Sequence, residues 1–499
     1  MCSSLFGQFS HHNLQVTLAV GSPTLAAFSL ALTAVNARWV NNRFSAIKYP
    51  NHESAVKILI HLQQVPLHLT THDGLLASLI VLPENEGWWE CLVDGLEQTH
   101  TWTIAAGTSI AWVIIAFVFT IIDSFVDVEK NLYSNGRDVG TLWLWLVPIV
   151  VGWLWAPVCS YDRLKAAIDM ANDLAFVAAP DSPPQPDILG DSPCAGGSCD
   201  TNSPRRTYDI LHIAAIRMSE RREVFIRDAA RTAPVFNYAR AWDWWRFVET
   251  IARAFEHADE NVEKHVAVDG RKWILSEDKH ISVHRDNRTG TLRQVQAYCG
   301  LPALGGKEAV QPAPSGIWKR VLIAAVFALG LQWGTTGSAT MMEMLAPTTG
   351  LGCRSGAYIL YGIISTTIWL ALLLSSYLSH FAKMRYDHGH PRRGISYVTV
   401  AEGLATFLRR LSIVVAGCNT IGVILICMFQ FSNFYSTCYC NSSVLGRGVQ
   451  HAYDIIFSYG HVHIRAAWIW GFVLSGGCAI VYLFFLGLML ERSHHTKNR

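Results

Sequence analysis

Long apolar segments constrain the fold of this chain more than any other feature of its sequence. A helix needs about 20 mainly apolar residues to cross the hydrocarbon core of a bilayer, which is about 30 Å thick. Lipid cannot satisfy backbone polar groups, so segments of this length and character fold as membrane-spanning helices. The segments that meet the requirement are 103–126, 140–159, 321–341, 357–381, 411–431 and 466–490.

A seventh apolar segment, 14–34, is interrupted by Gly21, Ser22, Pro23 and Thr24. Proline lacks a backbone N–H and breaks the interior of a helix, so this segment is the weakest of the seven. It predicts either a further span or a buried or re-entrant piece of chain.

Composition narrows the class of protein. Apolar residues make up 51% and charged residues 16% of the 499 positions, whereas soluble domains carry about 25% charged residues. This balance excludes a disordered protein, a nucleic-acid binder and an ordinary soluble enzyme, and the apolar runs lack the alternation of a membrane β-barrel. We predict an all-α transmembrane fold, a polytopic helical bundle of six or seven spans with a mostly helical cytosolic domain, whose partner is the lipid bilayer.

The spans divide the chain into regions. These are an outer N-terminus with the weak first span (1–36), a cytosolic or interfacial segment (37–102), spans two and three (103–159), a cytosolic domain (160–316), spans four to seven (317–490) and a cytosolic tail (491–499). Within the cytosolic domain, residues 180–206 are rich in Pro, Ser, Gly and Asp without apolar periodicity, which predicts a disordered linker.

Orientation follows from the basic residues beside the spans. Counted within about 20 residues of a span, 17 Lys and Arg lie on one side and 5 on the other. Positive residues stay on the cytosolic side, so the N-terminus is predicted outside and the C-terminus in the cytosol. The predicted location is the plasma membrane or an endomembrane of the secretory pathway. No Lys or Arg precedes residue 14, so a cleavable signal peptide is not expected.

Two soluble segments predict contacts with the membrane or with a partner. The amphipathic stretch 54–69, the short apolar piece 75–82 and the pair Trp88 and Trp89 are typical of helices in the membrane interface, with packing beneath the bundle as the alternative. A heptad-like stripe over 244–262 predicts either a helix that binds a partner or a second copy, or a helix that docks onto its own domain. Its apolar members are Trp244, Val248, Ile251, Phe255, Ala258 and Val262. Residues 266–275, centred on Asp269 and Gly270, predict a β-hairpin.

Polar residues within the spans are the candidate functional groups, because they are expensive in lipid. The candidates are Asn419, Gln332, Thr335, Glu343 and Asp123. They predict either a polar site open to the outer face or hydrogen bonds between helices. Gly330 and Gly334 form a GxxxG pattern that favours close helix approach.

Three cysteines and one sequon lie on the predicted outer side. A disulfide from Cys353 to Cys438 or to Cys440 would join two outer loops. Asn441 begins a glycosylation sequon, whereas the sequon at Asn287 lies on the cytosolic side and is expected to stay unmodified. No catalytic residue, metal site or cofactor is predicted, since the chain lacks a Walker loop, a GxSxG motif and an HExxH motif.

Two stretches carry a resemblance. Residues 73–83 with Trp88, Trp89 and Glu90, and residues 332–337 with 347–356, are together similar to an uncharacterised family of fungal multi-pass membrane proteins. The resemblance implies a polytopic membrane protein and no established activity, so it assigns no functional residue.

Three functions remain open from the sequence. The first is binding or transport of a small molecule through a site near the outer face. The second is a membrane scaffold or accessory protein, acting through 244–262 and serving a fungal metabolic pathway. The third is a heptahelical receptor.

Overall fold

The computed structural model describes residues 16–64, 67–69, 74–96, 104–126, 139–156, 161–181, 205–206, 216–218, 241–275, 283–301, 315–344, 351–387, 397–432, 434–436, 450 and 461–491. Most of these residues are helical. The helices, numbered along the chain, are α1 (Pro23–Phe44), α2 (His52–His61), α3 (Leu75–Val81), α4 (Glu86–Leu96), α5 (Ile104–Val126), α6 (Val139–Trp143), α7 (Leu146–Trp155), α8 (Tyr161–Asn172), α9 (Ala241–Glu263), α10 (Leu292–Tyr298), α11 (Ser315–Glu343), α12 (Cys353–Asp387), α13 (Tyr397–Phe431) and α14 (His461–Glu491). Short strands form two antiparallel pairs, β1 (Leu67–Leu69) with β4 (Ile216–Met218) and β2 (Phe176–Val177) with β3 (Arg205–Arg206).

Among the residues that the structure describes, four helices are long and apolar enough to cross a membrane. Their apolar spans are Gly316–Glu343, Cys353–Ala382, Val398–Phe431 and Arg465–Leu490, within α11 to α14. Two shorter apolar helical segments, Ile110–Phe125 and Val139–Trp155, pack beside them. The helical class predicted from the sequence is confirmed, and the four long apolar helices are compatible with spans of a membrane.

The surface of these helices is apolar. Large apolar side chains are exposed along α5 and along α11 to α14, where a water-soluble bundle would carry charge. They include Trp112, Phe119, Leu322, Val326, Leu360, Leu370, Val414, Ile421, Val473 and Phe484. A surface of this kind is compatible with contact to the acyl chains of a bilayer.

Helices α11 and α14 run antiparallel to each other. Along α11 and α14, Phe327 stacks on Phe485 with ring centroids 3.7 Å apart. Further along, Gly334 lies against Cys478, and a Cβ atom there would overlap that side chain. The GxxxG prediction holds only for Gly334, since Gly330 has open space where a Cβ atom would lie. Gly330 is exposed at the outside of the bundle.

Helix α1 is the central helix of the bundle. Its 22 residues extend about 33 Å, and those from Pro23 to Ala37 are buried. It packs against α7, α11, α12 and α14. The interruption at Gly21 to Pro23 predicts a weak span. In the structure this segment is buried among other helices, so it does not need an uninterrupted lipid-facing surface.

A second core lies beyond the end of α1. Residues of 37–96, 164–178, 244–258 and 295–299 pack together, so the segments before α5 and after α7 share one globular domain. Trp88 and Trp89 are fully buried there, and their indole N–H groups donate to Asn172 and to the Leu79 carbonyl. The prediction that these tryptophans lie in the membrane interface is therefore wrong.

The apolar stripe of α9 is also part of this core. Trp244, Val248, Ile251 and Phe255 are buried, and the Trp244 indole N–H donates to the Leu59 carbonyl at 2.9 Å. The hypothesis that these residues bind a partner or a second copy is wrong, because their own domain covers them. The alternative from the sequence, docking onto the same domain, describes the structure.

Residues 266–275 form turns and irregular chain rather than the predicted β-hairpin. Asn287 replaces the strand pairing, because its side chain exchanges two hydrogen bonds with the backbone of Ile274. The Val268 N–H also donates to the Asn287 carbonyl at 3.0 Å. The Asn287 side chain thus makes backbone hydrogen bonds that the sequence predicted between two strands of a hairpin.

Candidate functional site

A break in the central helix organises the polar groups inside the bundle. Residues 16–21 are helical, and α1 begins again at Pro23. Proline has no N–H to continue the hydrogen-bond ladder. Ser22 caps the new helix, since its side chain accepts from the Leu25 N–H. A break of this kind leaves carbonyl groups that need other partners.

Side chains from two neighbouring helices supply those partners. The hydroxyl of Tyr361 on α12 donates to the Val20 carbonyl at 2.7 Å. The amide of Asn419 on α13 donates to the Gly21 carbonyl at 2.7 Å. Beside Asn419, the hydroxyl of Thr420 donates to the Thr17 carbonyl at 2.8 Å. The broken backbone is therefore satisfied from outside its own helix.

Hydroxyl and amide groups continue the network past the break. Ser22 donates to the Ser365 carbonyl at 2.8 Å, and the hydroxyls of Thr24 and Ser365 lie 3.2 Å apart. The Ser365 hydroxyl also donates to the side-chain Oε1 of Gln332 at 3.5 Å, and the Gln332 side-chain amide donates to the Thr336 hydroxyl at 2.8 Å. All these side chains are buried. We call Ser22, Thr24, Gln332, Tyr361, Ser365, Asn419 and Thr420 the helix-break network.

The structure divides the candidate polar residues among different places. Gln332 and Asn419 belong to the helix-break network. Thr335 is buried but donates to the Leu331 carbonyl of its own helix. Asp123 is exposed on α5, so it does not join the buried set. The side chain of Glu343 lies near the end of α11 and belongs to a separate group.

That group is a buried ion pair with a polar neighbour. Glu343 ends α11, Arg354 lies at the start of α12, and Gln430 lies near the end of α13. The Gln430 amide donates to Glu343 Oε1 at 2.8 Å, while Arg354 Nη1 lies 3.9 Å from Glu343 Oε2. We call these three residues the Glu343 cluster. The ring of Tyr435 lies beside it, 5.9 Å from the Arg354 guanidinium carbon.

Charged and aromatic residues join the opposite end of the bundle to the globular domain. Arg43, at the end of α1, pairs with Glu249 and Glu256 of α9. The hydrogen bond from Arg43 lowers the pKa of Glu256 below its ordinary value, and the same bond raises the pKa of Arg43. Arg320 of α11 lies over the ring of Trp39, 3.9 Å from its centroid.

A tryptophan of α9 completes this junction. Trp242 packs against Trp318 of α11 with ring centroids 5.2 Å apart. It also stacks on His380 of α12, with centroids 5.1 Å apart. Helix α9 therefore packs its apolar stripe into the domain and extends its first turn onto the bundle.

The outer cysteines and the sequon lie largely beyond what is described. Cys353 begins α12, whereas Cys438, Cys440 and Asn441 lie outside the described residues. The disulfide and the glycosylation therefore stay predictions. Most of the linker 180–206 also lies outside the described residues. Within the described part of the chain, no three His, Cys, Asp or Glu side chains group as a metal site.

Several members of both groups were not identified from the sequence. Tyr361 and Ser365 lie in an apolar run and carry no pattern of their own. In the sequence Arg354 lies in a loop between two predicted spans, and Gln430 lies at the edge of a span. The interruption at Gly21 to Pro23 was the one available signal, since a broken helix requires polar partners nearby.

Comparison of the chain with protein-family models, with curated proteins and with solved structures found no match. The resemblance to a fungal family stays a prediction.

Proposed function

We propose that this chain is a multi-pass membrane protein of seven spans that binds a small polar molecule at the helix-break network and carries it across the membrane. The observation that carries the proposal is the broken central helix. Irregular backbone at membrane depth is tolerated where it is buried in protein or lines a cavity, and transporters use discontinuous helices to form substrate sites.

The chemistry of the network supports an exchangeable site. The groups that cap the break are neutral hydroxyls and an amide, and each such hydrogen bond contributes only about 1 kcal/mol net. A substrate with its own N–H or O–H donors can replace them at the carbonyls of Val20 and Gly21 without a large change in free energy. No charged side chain lies among the residues of this network, which favours an uncharged or zwitterionic substrate over an ion.

The proposal counts seven spans. Four are α11 to α14, and the other three are α1 together with residues 16–21, α5, and the pair α6 and α7. Basic residues gather where the bundle meets the globular domain. They include Arg43, Lys319 and Arg320. Under the positive-inside rule this end faces the cytosol, which places the globular domain there, the N-terminus outside and the C-terminus inside.

An uptake assay with purified protein tests the proposal. Metabolite profiling of cells with and without the chain selects solutes, which are then measured in proteoliposomes. We expect Gln332→Leu and Asn419→Leu to lower uptake at least tenfold, because each removes a polar group of the network.

Thr340→Val is the matched control for this assay. Thr340 is buried in the same helix as Gln332, and its hydroxyl donates only to the Thr336 carbonyl among the described contacts. Normal uptake is expected for this variant. Folded protein without solute movement in the wild type would refute transport.

The two alternative functions make different predictions. A scaffold acting through the α9 stripe lacks support, since that stripe is buried in its own domain. A heptahelical receptor requires ligand-dependent nucleotide exchange on a G protein, and silence in that assay would remove it.

A further inference from the structure

The Glu343 cluster is a buried charged site whose pairing is incomplete. Only 4% of the Glu343 surface and 6% of the Arg354 surface is exposed, and Gln430 is buried as well. Buried charges are stable only when ion pairing and hydrogen bonds compensate for lost water. The 3.9 Å between Arg354 Nη1 and Glu343 Oε2 is too long for a hydrogen bond, so the compensation is partial.

Four polar atoms of this cluster have no hydrogen-bond partner among the described residues. Two are donors, Nε and Nη1 of Arg354, and two are acceptors, Oε2 of Glu343 and Oε1 of Gln430. Buried polar atoms in native proteins are nearly always paired, with protein, water or ligand. Unpaired donors of a cation and unpaired acceptors of an anion and an amide therefore lie within one buried cluster.

The pattern of vacancies defines the chemistry of a matching ligand. A carboxylate fits the two Arg354 donors, but alone it leaves the acceptors vacant and is repelled by Glu343. An ammonium group fits the two acceptors, but alone it is repelled by Arg354. The charges of Glu343 and Arg354 cancel, so a ligand with no net charge leaves no uncompensated buried charge.

We propose that the Glu343 cluster binds a small zwitterion of the α-amino acid class. Its carboxylate accepts from Arg354, and its ammonium group donates to Glu343 Oε2 and Gln430 Oε1. All three residues lie at the ends of their helices that point away from the globular domain, so the site is at a mouth of the bundle. This inference goes beyond the proposed function, because it adds a second site and stands whether or not the chain transports its ligand.

Binding to the purified full chain in lipid nanodiscs tests the proposal. The probes are glycine, L-alanine, L-leucine, L-glutamate and L-lysine, with propionate and ethylammonium as ligands that carry one charged group each. We expect at least one amino acid to raise the unfolding temperature of the protein and to give a heat of binding in titration calorimetry. Propionate and ethylammonium are expected to bind at least tenfold more weakly than that amino acid.

Variants connect the binding to these residues. Glu343→Gln keeps the size of the side chain and removes the charge that holds the ammonium group, and we expect the Kd to rise about tenfold or more. Gln430→Leu is the second variant if Glu343→Gln fails to fold. It leaves the ion pair in place and removes one acceptor of the ammonium group, so it should also raise the Kd. Thr340→Val, buried in α11 before Glu343, is the control and should bind as the wild type does.

Three outcomes would overturn the zwitterion site. The first is the absence of binding by every amino acid to folded wild-type protein. The second is binding of propionate or ethylammonium as tight as that of the amino acid, and the third is unchanged affinity in both variants. Binding without uptake leaves this site standing and removes transport, whereas uptake that ignores Glu343→Gln and Gln430→Leu removes this site and leaves transport standing.

Discussion

At the scale of single residues, several buried polar side chains form hydrogen bonds with backbone groups that lack a partner in their own helix or strand. Asn419 and Tyr361 hold carbonyls that a proline-interrupted helix cannot satisfy itself. Asn287 plays the same part in the globular domain, where its amide holds the backbone of Ile274 in place of a strand partner. An asparagine or tyrosine in an apolar setting is therefore informative because it reports a nearby irregularity of the chain.

Asn419→Leu is expected to lower the free energy of unfolding by about 1–3 kcal/mol, because it leaves the Gly21 carbonyl buried without its donor. Thermal unfolding of the purified chain in detergent measures the effect. Cys418→Leu is the control, since Cys418 is exposed on the same turn and should change stability by less than about 0.5 kcal/mol. Equal effects at both positions would argue against the capping role.

At the scale of helices, close approach near the break depends on Gly21. A Cβ atom there would overlap the Ala416 carbonyl oxygen of α13. The same contact allows Asn419 and Thr420 to reach the residues before the break. Helix α9 shows the complementary case, in which a long apolar stripe is covered by its own domain rather than by a partner.

Gly21→Ala is expected to push α13 away and to destabilise the bundle by about 1–3 kcal/mol, the usual effect of overpacking. Gly422→Ala on α13 is the matched control, because open space surrounds the position of its Cβ atom. The control should be neutral or slightly stabilising, since alanine favours helix over glycine by up to about 1 kcal/mol. The unfolding temperatures of the two variants measure these effects, and equal values would argue against a close contact between Gly21 and α13.

Phe255→Ala tests the position of α9. The side chain is buried against Phe44, Tyr49 and Trp89, so its removal should cost about 3–5 kcal/mol through a cavity in the globular core. Glu260→Ala, on the exposed face of α9, should stay within about 0.5 kcal/mol of the wild type. Denaturant unfolding followed by tryptophan fluorescence measures both. A neutral Phe255→Ala variant would favour a stripe that is free to meet a partner.

At the scale of the whole molecule, the bundle and the globular domain are joined through α1. The helix is buried among membrane-type helices at its start and contributes to the domain core at its end. Arg43 fastens that end to α9 through Glu249 and Glu256. Movement at the break in the helix would therefore reach the domain through one continuous element.

Acid should weaken this junction. The folded pKa of Glu256 is below its ordinary value of 4.5, so its stabilising contribution is complete above about pH 4.5 and is lost as pH falls through the folded value. The carboxylate is partly exposed, so solvent screening limits the contribution to about 0.5–1 kcal/mol. Unfolding of wild type and Glu256→Gln between pH 7 and about pH 3 should converge at low pH.

Asp259 provides a control of opposite sign on the same helix. Burial raises its pKa above the ordinary 3.8, so its carboxylate destabilises the fold once ionised, and this penalty disappears as pH falls. Asp259→Asn should therefore gain stability relative to the wild type near neutral pH and lose that advantage in acid. If both variants show the same pH trend, the pair with Arg43 does not control the junction.

The class of this protein follows from its apolar runs alone. Long apolar runs such as 357–381 and 466–490 specify helices with apolar surfaces, because the preference of each residue for lipid or water is a local property that sums along the run. The break at Pro23 was equally visible, since proline removes a hydrogen bond wherever it stands.

The meeting of polar groups and the covering of apolar stripes depend on how the helices pack in three dimensions. Asn419 finds Gly21 across 398 positions of sequence, and Trp244 finds Leu59 across 185. Pairings of this separation depend on how whole helices pack, which no local pattern encodes. For the same reason Trp88 resembled a membrane-interface residue in the sequence, although in the folded chain α8 and the rest of the globular core enclose it.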